Sequence, residues 1–149
     1  QTVRWIEGIA ELSDEISINP MNIQRGTVID RLFRAGDYRP PWLWSLVQMI
    51  QDVQEDIHTE DGEARTRLIV HPTAAGSIRG AHNCGKCDKH VAAAIERYSV
   101  SGSLLEFEGI TCDCKALWNT EIKTDTTLPI PLGSGLDRRL SPIEALLSP

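Results

Sequence analysis

The sequence predicts an α+β chain in three parts. An N-terminal helical half of about three helices comes first. A second half follows, in which one helix and a short antiparallel β-hairpin are held together by clustered cysteines, and an extended tail ends the chain. Three observations carry this reading. Apolar residues recur at helical spacing across residues 1–58, most clearly at Leu43, Leu46, Ile50, Val53 and Ile57. The chain's four cysteines fall only as Cys84-x-x-Cys87 and Cys112-x-Cys114. Four of the eight prolines lie within residues 124–149, where no period is evident. The expected organisation is a single domain over 1–123, divided into a helical part (1–58) and a cysteine-stapled part (64–123), followed by a Pro-rich tail (124–149).

Each element has its own signal. Trp5, Ile9, Leu12 and Ile16 repeat at helical spacing, and "INP" at Ile18 to Pro20 should end that helix. Thr27 and Asp30 in "TVID" read as an N-cap, and Gly36 as the left-handed residue past the helix end, so a second helix should bury Ile29, Leu32 and Phe33. Pro40 and Pro41 pre-shape the start of the third helix, residues 43–57, whose other faces carry Asp52, Glu55 and Asp56. Its apolar stripe should face the core, with pairing to a second copy as the alternative. "RTRLIVH" suits a strand ending at Pro72, with His71 at the surface, and "PTAAGSIRGAHN" is a long loop. "DKHVAAAIERY" is a helix with Val91, Ile95 and Tyr98 on one face. "SLLEFEGIT" and "KALWNTEIK" are expected as the two antiparallel strands, with "CDC" at their turn.

The cysteine pattern points to a metal. Scattered buried thiols would not fall as two tight pairs, and 149 residues do not need disulfide staples. Cys-x-x-Cys lets two sulfurs reach one ion around a turn that Gly85 allows, and Cys112 with Cys114 supplies a second pair. Zn2+ held by Cys84, Cys87, Cys112 and Cys114 is therefore the expected cofactor. A set using His90 or His82 in place of one cysteine is the runner-up. "CGKC" before a helix also resembles the thioredoxin-type motif, but that role would leave Cys112 and Cys114 idle. The zinc-deaminase pattern, "HExxH", a Gly-x-Ser-x-Gly elbow and a phosphate-binding glycine loop are all missing, which favours a closed structural site over a catalytic one.

Charge narrows the partners. The net charge is −6, and Ser45 to Ala64 carries six acids with no Lys or Arg. An acidic chain is a poor general polyanion binder. Arg79 to Tyr98 is locally basic, so Arg79, Lys86, Lys89 and Arg97 form a candidate nucleic-acid surface. No apolar run is long enough to span a membrane. Trp42 and Trp44 point to different sides of a helix start, so one should enter the core and the other anchor a protein partner. Trp5 and Trp118 should fill the core. The favoured function is a non-enzymatic, zinc-binding adaptor or regulator of viral accessory type, intracellular in the cytoplasm or nucleus. It would bind protein partners, among them a second copy of itself through the 43–57 helix. Nucleic-acid binding and thiol oxidoreduction through Cys84 and Cys87 are the alternatives.

Overall fold

The computed structural model describes residues 2–10, 12–54, 57 and 66–127. The chain divides into two compact units, Gln1–Lys115 and Ala116–Pro149. In the first unit, helix α1 (Thr2–Ala10) leads to strand β1 (Glu15–Ile18), helices α2 (Val28–Ala35) and α3 (Leu43–Asp52), strand β2 (Arg67–Val70) and helix α4 (Asp88–Ser101). A 3-10 turn (Leu104–Phe107) follows, and helix α5 (Cys114–Thr127) begins at the end of this unit and continues into the second. The fold is mixed α and β, as expected, but the detail differs.

The two strands are parallel and far apart in sequence, with Ile16 opposite Leu68 and Ile18 opposite Val70. A parallel pair requires a crossover between its strands, and here residues 19–66 supply it. The expected hairpin does not form. "SLLEFEGIT" holds the 3-10 turn, and "KALWNTEIK" lies within α5. The expected first helix is also cut short at Ala10, because the segment holding Ile16 pairs with β2 instead. The buried face of α1 is Ile6 and Ala10, while Trp5 and Leu12 are exposed. Thr66 fastens this corner: its buried hydroxyl donates to the carbonyls of Ala10 and Ser13. Ser99 on α4 satisfies the outer edge of β2, since its Oγ accepts from Val70 N–H at 2.9 Å and stands 2.9 Å from Val70 O.

Helix α2 starts and stops where its caps dictate. Thr27 Oγ1 accepts from Asp30 N–H at 3.2 Å, and Gly36 adopts φ 78° past the last turn. Its buried residue is Asp30, whereas Ile29, Leu32 and Phe33 are half-buried. Helix α3 has the predicted stripe, with Leu43, Leu46, Ile50 and Val53 buried within this chain. That stripe is therefore already covered and is not offered to a second copy. Residues 55–56 and 58–65 of the expected longer helix and its turn lie outside the described residues. Helix α4 buries Val91, Ile95 and Tyr98 as expected, and the Tyr98 ring stacks on Phe107 at 5.6 Å.

In the second unit, residues 116–127 complete α5, with Trp118 buried and Leu117 exposed. The sequence-derived boundary at 123/124 falls inside this helix. The tail from residue 128 lies outside the described residues. Among the described residues, no helix is long and apolar enough to cross a membrane.

Candidate metal centre

Residues 71–87 leave β2 without helix or strand and deliver Cys84 and Cys87 to the start of α4. Gly85 sits at φ 87° with open space around its Cα, so the demand for glycine there is conformational rather than steric. Asp88, the first residue of α4, closes the turn: its carboxylate accepts from Asn83 N–H at 2.9 Å and Gly85 N–H at 2.7 Å. A carboxylate at a helix start is also favoured by the helix dipole. The same holds α4 in place under Cys87, which is its N-cap residue. Cys112 and Cys114 come from the approach to α5, where Lys115 N–H bonds the Cys112 carbonyl at 2.9 Å.

All four sulfurs lie within 4.8 Å of one another. Cys84 Sγ is 4.0 Å from Cys87 Sγ and 3.7 Å from Cys112 Sγ, and Cys87 Sγ is 3.6 Å from Cys114 Sγ. No pair forms a disulfide. Four thiols so placed could bind one metal ion. Neither His82 nor His90 belongs to the group. His82 Nδ1 is engaged 2.9 Å from the Gly80 carbonyl, and His90 is exposed, so the runner-up ligand set is not formed. The ion would clasp two helix starts rather than a helix and a hairpin.

The sulfurs differ in surroundings. Backbone N–H groups of Lys86 and Cys87 draw the exposed Cys84 thiol down to about 7. Burial pushes Cys87 up, and pushes Cys114 up to about 12. Two donors from elsewhere in the first unit partly offset that cost. Asn83 Nδ2 donates to Cys87 Sγ at 3.3 Å, and Trp44 Nε1 donates to Cys114 Sγ at 3.3 Å. Asn83 Oδ1 also accepts from Trp44 N–H at 3.3 Å, which ties the two donors together. Lys115 adds a positive charge 5.2 Å from the Trp44 ring. Such groups around the ligands orient them and tune a bound metal. Asn83 was legible as a turn residue beside the motif. Trp44 carried no such signal, being 70 residues from Cys114.

The other sequence-derived residues fare differently. Trp42 and Trp44 are both buried, at 9% and 2% exposure, so neither stands out as an exposed anchor. Trp42 lies beneath the Arg39 guanidinium at 3.7 Å, and the start of α3 is enclosed by the loop that carries Asn83. The four basic residues do not share one environment. Arg79 pairs with buried Asp30 at 2.7 Å, and Arg97 pairs with Glu106 at 2.7 Å. Lys86 and Lys89 are exposed and form no ion pair among the described residues. Lys86 lines a cleft of about 350 Å³ with His90, Thr111 and the cluster's Cys87 and Cys112.

No protein-family model matches the sequence, and no solved structure matches it. Curated proteins do. An uncharacterized protein of Methanocaldococcus jannaschii is 30% identical over 121 residues, covering 79% of this chain and 31% of that protein. Archaeosine synthase subunit beta of Thermococcus kodakarensis is 36% identical over 107 residues, covering 71% of this chain and 31% of the relative. The same subunit of Methanosarcina acetivorans is 35% identical over 123 residues, covering 83% of this chain and 34% of the relative. These names overturn the adaptor of viral accessory type and the thiol-oxidoreductase alternative, because the named relatives are subunits of a synthase. They also correct, in part, the expectation of a role outside enzymes. The chain is similar to archaeosine synthase subunit beta over most of its own length, and it spans about a third of the length of the curated relatives it matches.

Proposed function

We propose that this chain is a metal-stapled part of an archaeosine-synthase-type subunit and serves the modification of tRNA, the RNA in which archaeosine is found. In this reading Cys84, Cys87, Cys112 and Cys114 hold one Zn2+ in a structural role. The observation that carries it is the sulfur spacing. A tetrahedral ion with Zn–S bonds of about 2.3 Å separates its sulfurs by roughly 3.8 Å; three pairs here lie at 3.6, 3.7 and 4.0 Å, and all four sulfurs are within 4.8 Å of one another. A cluster of several irons holds its cysteines further apart than one ion does. Four thiolates fill a tetrahedron and leave no position for substrate, so the ion supplies shape, and the reacting chemistry lies outside this centre. The protein partner implied by a beta subunit is another subunit of the synthase. The named relatives are archaeal, and archaeal cells have no nucleus, which favours the cytoplasm over the nucleus for this chain.

Two measurements test this. Elemental analysis of the purified chain should find close to one zinc per molecule, lost in Cys87→Ser. The chain should also replace the matching third of a relative's beta subunit and sustain archaeosine formation, read by mass spectrometry of tRNA nucleosides, with Cys87→Ser failing to do so. A folded metal-free chain, or a chimera whose archaeosine level ignores the cysteines, overturns the reading.

A further inference from the structure

Outside the cysteine centre, the first unit has an open groove of about 510 Å³ between residues 71–75 and α4. That is within the size range of small-ligand sites. Small residues make up much of its lining, Pro72, Ala74 and Ala75 from the loop and Ala92 and Ala93 from the helix, with His71 and Thr73 beside them. Lys89 and Glu96 of α4 line it as well. Both are exposed, and neither has a hydrogen-bond or ion-pair partner among the described residues. They are seven residues apart on α4, so about 10.5 Å separates them along the helix axis, roughly the reach of a nucleotide from phosphate to the outer edge of its base.

The loop wall is built to hold its form. Ala74 adopts φ 58°, uncommon for a residue with a side chain. Gly76 N–H bonds the Ala81 carbonyl at 2.9 Å, and Ser77 N–H bonds the Ala74 carbonyl at 3.1 Å. Gly80 passes so close beneath that an added Cβ would stand 2.3 Å from the Ala74 carbonyl oxygen.

We propose that this groove binds one nucleotide of an unpaired RNA segment, with the base between the alanine walls, the phosphate on Lys89 and a base amino group on Glu96. The inference rests on the RNA-modifying role proposed above. Unpaired RNA offers splayed bases whose flat faces pack on side chains and whose edges are free for hydrogen bonds. A carboxylate accepts from the amino group of cytosine, which uracil lacks. The smaller cleft beside Lys86 is a poorer phosphate site, because four thiolates around a divalent ion leave a net negative charge next to it. A free nucleotide presents the same chemistry as a nucleotide within RNA, and the test separates the two.

Fluorescence anisotropy with labelled single-stranded oligocytidylate and oligouridylate, across a salt series, reads the proposal directly. The wild type should bind oligocytidylate more tightly than oligouridylate. Lys89→Ala should lower the slope of log affinity against log salt by about 0.7, the loss of one phosphate contact on a single strand. Ala93→Phe, which fills the groove, should weaken binding about tenfold, the scale of one lost base contact, with zinc content unchanged. Glu96→Gln should erase the preference for cytosine. Wild-type protein that holds zinc but does not bind RNA overturns the groove and leaves the synthase-subunit reading standing. So do Lys89→Ala and Ala93→Phe variants that bind as wild type. Displacement of the RNA by equimolar cytidine monophosphate overturns RNA as the source. A folded wild type without metal overturns the subunit reading and leaves the groove result intact.

Discussion

The loop from His71 to Cys87 is fastened at two places by different chemistry. In its middle, Arg79 reaches Asp30 at 2.7 Å and the Ile23 carbonyl at 3.2 Å, and Arg34 joins the same carboxylate at 3.1 Å. Gly26 N–H donates to it at 3.0 Å. At its end, Cys84 and Cys87 meet Cys112 and Cys114. The first fastening is complete with the chain's own groups: two guanidiniums share the Asp30 carboxylate, which is held well below the usual carboxylate range, chiefly by Gly26 N–H and Arg79. The second is not. Buried thiols gain little from one another, and burial resists their ionisation. An ion pair closes a loop by itself, whereas a set of converging sulfurs requires a cation from outside.

The contrast can be broken in order of expected effect. Cys87→Ser, or chelation of the metal, should cost on the order of the 10 kcal/mol that zinc contributes to small metal-bound folds. That is comparable with the whole stability of a domain this size, so loss of cooperative unfolding in calorimetry is expected. Metal affinity should also climb steeply with pH. Cys87 and Cys114 ionise above their ordinary values, so both are protonated near neutrality and at least two protons must leave when the ion binds. A chelator competition between pH 6 and 8 should show apparent affinity rising by at least about a hundredfold per pH unit.

The ionic fastening should respond in the same sense but in a lower pH range. Asp30 is depressed in the fold, so its contribution is present above the unfolded value of about 3.9 and is lost as pH falls below it. Asp30→Asn should lower the thermal midpoint at pH 7, and the difference from wild type should shrink under acid while zinc content at neutral pH persists. Trp44→Phe keeps the ring and removes the N–H that reaches Cys114, so zinc affinity should fall about tenfold by competition titration. Smallest of all, Thr27→Ala removes the cap of the helix that presents Asp30 and should cost about 1 kcal/mol in denaturant unfolding.

Features written in adjacent residues were legible in the sequence. Thr27 and Gly36 bracket α2, the stripe from Leu43 to Val53 marks α3, and the cysteine spacing marks the centre. What depended on distant partners was not. Ile16 continued a helical repeat from Trp5, yet its backbone pairs with a strand more than fifty residues away. The alternation in "SLLEFEGIT" imitated a strand, while the chain turns tightly to place Phe107 against Tyr98. Arg79 and Arg97 looked as available as Lys86 and Lys89, because a list of charges does not reveal which carboxylate each one meets. The Trp44 contact with sulfur belongs to the same class.

The pairing of β1 with β2 also bears on how the molecule assembles. Bringing Glu15–Ile18 beside Arg67–Val70 closes a large loop before any ladder bond repays it, and contacts of such long range slow folding. Local helices such as α3 and α4 should therefore form early and the ladder late. The segment that carries the first thiol pair hangs from β2, so the thiols converge only once that slow step is complete. Refolding followed by zinc uptake should lag refolding followed by helical circular dichroism.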